Sequence, residues 1–201
     1  MDSVSDSELQ DIVHQVLQRA LGGGNPNSPT TPEKSDPIHS PLSLSEETQP
    51  SKNKEKIIAL GADHGGFSLK ESIKTFLEKE GYPVEDCGTY STEAVDYPDF
   101  AYAVAIKVSE GKVWRGIVID GAGIGSCMVA NKVPGVRAAM CYDHATALNS
   151  REHNDANVLT LGAGLIGPNL ATQIVQTWLT TDFAGGRHSR RVEKIMAIEK
   201  R

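Results

Sequence analysis

No Phe, Tyr or Trp occurs before Phe67. Aromatic side chains dominate core packing, so a packed core is not expected before about Lys56. Of the 201 residues, those from 57 onward are expected to form the folded domain. Positive charge is also short: 20 Lys and Arg stand against 26 Asp and Glu, a net charge of −6. That balance excludes a basic face for non-specific binding of nucleic acid or anionic lipid. No apolar run approaches the roughly 18 residues of a membrane-spanning helix. The opening Met1-Asp2-Ser3-Val4 has neither the basic start nor the apolar centre of a secretory signal. There are 3 cysteines, Cys87, Cys127 and Cys141, with no Cys-x-x-Cys spacing. This argues against a disulfide framework or a zinc site and for reduced, buried thiols, hence a cytoplasmic location.

What is present falls into three segments, residues 1–21, 22–56 and 57–201. Leu9, Ile12, Val13, Val16, Leu17, Ala20 and Leu21 form one stripe at helical spacing, so an amphipathic helix is expected over 4–21. Ser5 and Glu8 have capping-box spacing, and Gly22 to Gly24 stop the pattern. Residues 22–56 hold six of the ten prolines among Ser, Thr, Asn and charged residues, the composition of a flexible linker. A lone short helix is marginal in water, so its stripe needs a surface. It either packs on its own domain or on a copy, or lies in a partner's groove. Asp2, Asp6, Glu8 and Asp11 against a single Arg19 disfavour a membrane surface. A short amphipathic helix, a Pro/Ser-rich linker and an enzyme-like domain resemble the encapsulation peptides of bacterial microcompartment cargo. That resemblance implies a shell protein as the partner of residues 1–21.

From Lys56 on, short apolar runs alternate with helical patterns. Strands are expected at 57–60, 83–86, 116–119, 137–141 and 158–161. Helices are expected around Leu69 to Leu77, over 100–108, from about Ser126, and over 143–153, 168–180 and 189–200. Such alternation predicts an α/β domain, a sheet of about five parallel strands with helices on both faces. Ligands of such sheets bind beyond the carboxyl ends of the strands.

The polar residues after the strands are therefore the candidates for chemistry. Strand one leads into Gly61-Ala62-Asp63-His64-Gly65-Gly66 and strand three into Asp120-Gly121-Ala122-Gly123-Ile124-Gly125. The glycine run before a helix is either a tight turn or an anion nest of successive N–H groups. It is not the dinucleotide fingerprint, whose third glycine would fall at Ser126. Arg187 and Arg191 are four apart, on one face of a helix, which suits either a phosphate or a solvated basic turn.

These strings, with Asp96-Tyr97-Pro98, Ala130-Asn131-Lys132-Val133-Pro134-Gly135-Val136-Arg137-Ala138, Ser150-Arg151-Glu152-His153-Asn154-Asp155-Ala156-Asn157-Val158-Leu159 and Gly185-Gly186-Arg187-His188, occur in a telling order and spacing. They resemble ribose-5-phosphate isomerase B and its relatives that act on galactose 6-phosphate and allose 6-phosphate. The likeness covers essentially all of 57–201. It implies a three-layer Rossmann-like fold and an aldose–ketose isomerase, with ribose 5-phosphate and ribulose 5-phosphate as first candidates. A proton would move between C1 and C2 through an enediolate, with no metal or cofactor. By resemblance His153 helps open the sugar ring, assisted by Asp63. His64, Arg187 and Arg191 hold the phosphate, and Tyr97 and Asn154 line the pocket. Backbone N–H groups of Gly121, Gly123 and Gly125 stabilise the enediolate. The family builds its site between two subunits, which implies a homodimer or homotetramer.

The chain departs from the family at the proton-abstracting base. Members carry a cysteine just before the glycine loop or a glutamate just after it. Here these positions are Asp120 and Ser126. The loop hydroxyl is replaced by Ala122, and an arginine of some members by Gly164. Two roles are open to Asp120. Buried at a strand end, it can serve as the base. Turned toward the loop N–H groups, it caps them and is spoiled as a base. Two functions follow: an active isomerase, or a sugar-phosphate-binding or scaffolding protein that has lost catalysis. Cys127 is expected in the core, and His144 on the surface or in the core. His14 and His39 are assigned no chemistry.

Overall fold

The computed structural model describes residues 55–200. The helix expected over 4–21 and nearly all of the linker lie outside the described residues. Among the described residues six helices and five strands follow one another: β1 (Ile58–Ala62), α1 (Phe67–Lys79), β2 (Val84–Asp86), α2 (Tyr97–Ser109), β3 (Arg115–Asp120), α3 (Ile124–Ala130), β4 (Ala138–Met140), α4 (His144–Glu152), β5 (Val158–Gly162), α5 (Pro168–Thr180) and α6 (Ser189–Met196). A 3-10 turn over Gly186–His188 precedes α6 and another over Ala197–Lys200 follows it. All pairings are parallel, in the order β2-β1-β3-β5-β4. The five-stranded α/β architecture expected from the sequence is the one observed.

The central strands β1, β3 and β5 are buried along their whole length. That is why they read as unbroken apolar runs: both faces of a parallel sheet are covered. On one face Leu69, Ile73 and Leu77 of α1 and Ala171, Ile174, Val175 and Trp178 of α5 pack on Ile58, Leu60, Ile117, Ile119, Leu159 and Leu161. On the other, Ala101, Val104, Ala105 and Val108 of α2 and Ala130 at the end of α3 pack on Ala59, Val118 and Val158. Each large aliphatic side chain so buried contributes about 1.5–3 kcal/mol.

Element ends shift by a few residues. Helix α2 starts at Tyr97, not Phe100, because Pro98 fits the first helical turn, where no N–H is needed. Helix α3 starts at Ile124, not Ser126, for a reason that lies in the site. Helix α4 is opened by a capping box: Asp143 Oδ1 accepts from the Thr146 N–H at 2.7 Å, and the Asp143 N–H donates to the Thr146 hydroxyl oxygen at 3.3 Å. His144 is on the exposed first turn. Cys141 is buried, whereas Cys87 and Cys127 are half-buried, and all three thiols are free. Burial pushes the Cys87 and Cys141 thiols up to about 11. Cys127 places Sγ 3.5 Å from the Ala138 carbonyl, on the β4 side of α3.

The strand order creates a crevice. From β1 the chain moves outward to β2, and from β3 it moves the other way. The loop after β1 leads to the α1 face and the loop after β3 to the α2 face. The carboxyl ends of β1 and β3 are thus a topological switch point, where open α/β sheets bind ligands.

Candidate active site

One cluster sits at that switch point. Asp63 follows β1 and is buried at 8% exposure, its Oδ1 accepting the Gly66 N–H at 2.9 Å. His64 is exposed, with Nδ1 3.2 Å from both the nitrogen and the carbonyl oxygen of Val95. Tyr97, at the first turn of α2, lays its ring over Gly125. A Cβ at Gly125 would fall 2.5 Å from the ring, so only glycine lets the tyrosine lie against the loop.

The loop is held by Asp120, the last residue of β3. Its Oδ1 accepts the N–H groups of Ala122, at 2.8 Å, and of Gly123. Its Oδ2 accepts the Ser126 N–H at 3.1 Å and the Ser126 hydroxyl at 2.5 Å. The carboxylate reaches back over the first turn of α3 and supplies the acceptors that free N–H groups there need. This is why α3 begins two residues earlier than expected. Gly123 turns the chain with φ 78°, and a Cβ there would stand 2.9 Å from the Leu161 carbonyl carbon. The loop is tied to β5 through Ala163 N–H to the Asp120 carbonyl, 2.8 Å, and the Thr160 hydroxyl to the Gly123 carbonyl, 2.9 Å. Asp120 thus makes capping contacts to the loop, three from backbone N–H groups and one from the Ser126 hydroxyl. Ser126, at 0% exposure, occupies the other family base position and is bonded to it.

A second cluster lies at the opposite end of the sheet. His153 closes α4, and Asn154 and Asp155 turn the chain back toward the amino end of β5. Asp155, at φ 48°, is clamped by Arg137, 3.1 Å, and Arg151, 2.8 Å, while Arg137 Nε bonds the Asp155 carbonyl at 2.9 Å. The His153 ring stacks on His188, with centroids 4.2 Å apart and planes within 3°. Arg187 Nε donates to His188 Nε2 at 3.3 Å, and the Ala184 N–H to the Glu152 carbonyl at 3.0 Å, which pins this turn to the end of α4. Burial, with His153 and the Arg187 and Arg191 guanidiniums nearby, holds the His188 imidazole below its ordinary range. Arg187 and Arg191 are exposed beside it.

The expected site residues therefore form two groups: Asp63, His64, Tyr97, Asp120, Gly121, Gly123 and Gly125, and His153, Asn154, Arg187 and Arg191. The five residues of β5 separate the two ends, roughly 16 Å at the strand rise. One protomer does not bring the groups together. Sequence reasoning missed Ser126 as the partner of Asp120, His188 as the partner of His153, and the Arg137–Asp155–Arg151 clamp. His188, Arg137, Arg151 and Asp155 stood within the recognised strings and Ser126 just after one, but no spacing rule couples them. Among the described residues no group of three His, Cys, Asp or Glu is placed to hold a metal ion, and no helix is long and apolar enough to cross a membrane.

An open parallel α/β sheet with a braced glycine loop at its switch point places the protein among the doubly wound α/β proteins, whose ligands sit beyond the carboxyl ends of the strands. Residues 58–195 match the family model described as Ribose/Galactose Isomerase. The chain is 48% identical over 146 residues to ribose-5-phosphate isomerase B of Escherichia coli, covering 73% of this chain and 98% of that one. It is 46% identical over 139 residues to D-erythrulose-4-phosphate isomerase of Pectobacterium atrosepticum, covering 69% and 91%. The structure of Clostridium thermocellum ribose-5-phosphate isomerase B superposes with a TM-score of 0.71 at 55% identity, covering 72% of this chain and 97% of that one. The chain belongs to the ribose/galactose isomerase family.

Proposed function

We propose that the protein interconverts an aldose phosphate and its ketose, with ribose 5-phosphate and ribulose 5-phosphate the first pair to test. The observation that carries the reading is the presence of the phosphate and ring-opening groups: His64 beside a braced glycine loop at the switch point, and Arg187, Arg191 and His153 in the cluster at the other end of the sheet. In this scheme Arg187 and Arg191 grip the phosphate, and His153 opens the ring with help from Asp63. A base then takes the C2 proton. The electron pair left behind forms the C1–C2 double bond of an enediolate held by the N–H groups of Gly121 and Gly125, the Gly123 N–H being taken by Asp120, and the proton is returned to C1. Asp120 is the base in this reading. Three of its four hydrogen bonds come from backbone N–H groups that cannot leave. The fourth comes from the Ser126 hydroxyl, whose rotation frees a lone pair of Oδ2.

The separation of the two clusters supports a homodimer, or a homotetramer of two such dimers, in which each site joins the switch point of one copy to the His–Arg cluster of another. Exposed Tyr102, Ile124 and Met128, at 54%, 48% and 64%, flank the switch point and would be covered by the second copy. We further propose that residues 1–21 recruit the enzyme to the shell of a microcompartment.

A second reading is favoured by the four donors on Asp120: a protein that binds sugar phosphates without converting them. Turnover of a panel of sugar phosphates by the full chain, beside Asp120→Asn, separates the two. Isomerisation by the wild type with a loss of roughly 100-fold or more in Asp120→Asn supports the base. Full rate in Asp120→Asn refutes that assignment. Calorimetric binding with neither turnover nor proton exchange at C2 establishes the second reading.

A further inference from the structure

Asn149 stands one helical turn before His153 on α4, and its side-chain nitrogen lies 2.8 Å from His153 Nδ1. An amide nitrogen carries hydrogens and has no lone pair to offer, so in this bond it is the donor and Nδ1 the acceptor. A neutral imidazole that accepts at one nitrogen carries its proton on the other. The bond therefore selects the tautomer of His153 with its hydrogen on Nε2. The nearest carboxylate oxygen, of Glu152, is 3.8 Å from Nε2, outside hydrogen-bond distance, which leaves that N–H free for a ligand. The parallel stack on buried His188 fixes the ring plane that Asn149 alone leaves free to tilt.

We propose that Asn149 is a positioning residue for ring opening, fixing His153 as an Nε2–H donor aimed at the ring oxygen of the sugar. The inference rests on the isomerase reading above. In the step it serves, the bond between the anomeric carbon and the ring oxygen breaks. The ring oxygen takes a proton through its hydrogen bond from His153 Nε2–H, and Nε2 is reprotonated by way of Asp63 as the carbonyl forms, so the imidazole ends neutral. The anomeric hydroxyl becomes the carbonyl and passes its proton to the carboxylate of Asp63. The tautomer matters because Nδ1 faces its own helix, so a proton held there cannot reach the sugar.

The test is Asn149→Asp in the full chain. The side chain is exposed and the change isosteric, so the fold is kept. A carboxylate can only accept, which calls the ring proton to Nδ1. Nitrogen-15 spectra of the His153 ring are expected to show Nε2–H in the wild type and Nδ1–H in the variant. Two reactions then divide the kinetics. Ribose 5-phosphate is a closed ring and needs opening. Ribulose 5-phosphate, with its O5 esterified, cannot close a five-membered ring, and exchange of its C1 proton with solvent needs only the enediolate step. Isomerisation of ribose 5-phosphate is expected to fall roughly tenfold or more in the variant, with C1 exchange within about twofold of wild type. An equal fall in both, or an unchanged His153 tautomer, overturns the proposal. If the wild type neither isomerises nor exchanges, the isomerase reading fails and the ring-opening role with it. The nitrogen spectrum then still reports whether Asn149 sets the tautomer.

Discussion

Lys70 carries a charge at 0% exposure, in the second turn of α1. Its ammonium lies 2.8 and 2.7 Å from the two oxygens of Asp86 at the end of β2, with Lys74 3.0 Å from one of them and the Gly88 N–H 3.0 Å from the other. Burial works to raise the Asp86 carboxyl, but Lys70, the Gly88 N–H and Lys74 outweigh it and hold it below its ordinary 3.8. A carboxyl lowered in the folded state binds fewer protons there than in the unfolded chain. Its stabilisation is present above the unfolded value and is lost as pH falls through the folded one. Asp86→Asn removes the bidentate counter-charge of buried Lys70 and leaves it the half-exposed Glu71 carboxylate at 2.9 Å, and is expected to cost about 3 kcal/mol near pH 7. Urea unfolding at neutral and strongly acidic pH checks this. The variant should lose less stability than the wild type on acidification, and equal losses would remove Asp86 as the source. None of this was legible in the sequence, because Lys70 and Asp86 are joined only once α1 packs beside β2.

At the scale of elements, the order of strands and helices was legible and the start of α3 was not. The apolar runs of β1, β3 and β5 announce burial on both faces, and the periodic spacing of Leu69, Ile73 and Leu77 announces α1. The start of α3 depends on Asp120, a strand residue that caps a helix from across a glycine loop. Capping rules look for the acceptor immediately before the first turn, and here that place holds Gly123 in the left-handed region. The pair Asn149 and His153 could have been found, since residues four apart on a helix are neighbours. The segment 1–21 is an element whose role has to be read from its pattern alone. The relatives cover about 72% of this chain and nearly all of their own length, so their likeness leaves it aside. A fluorescent protein carrying residues 1–24 is expected to gather in discrete bodies in the native host, and deletion of 1–24 to leave the isomerase rate unchanged. A diffuse signal would end the recruitment reading.

For the whole molecule, the decisive fact is that the proposed site is divided across the height of the sheet. Asp120 belongs to the carboxyl end of β3, and His153 precedes the amino end of β5. No side-chain rotation spans that distance. If both act on one sugar, they come from different copies. This was legible only through the family resemblance, since spacing along a chain says nothing about which end of a sheet a loop reaches. Subunit mixing gives the test. Asp120→Asn and His153→Ala are each expected to be nearly inactive as homodimers. In a mixed dimer one site carries both lesions and the other carries neither. Random reassociation of equal amounts makes half of the dimers mixed, so about a quarter of wild-type activity is expected to return in a two-fold symmetric assembly. Sites contained within single subunits would regain nothing on mixing, because every subunit carries one lesion. The same mixture made with Asp120→Asn and His64→Ala, both on the switch-point side, should stay inactive. Every site in that mixture joins an intact His–Arg side to a damaged switch-point side, because Asp120 and His64 both lie at the carboxyl ends of β3 and β1.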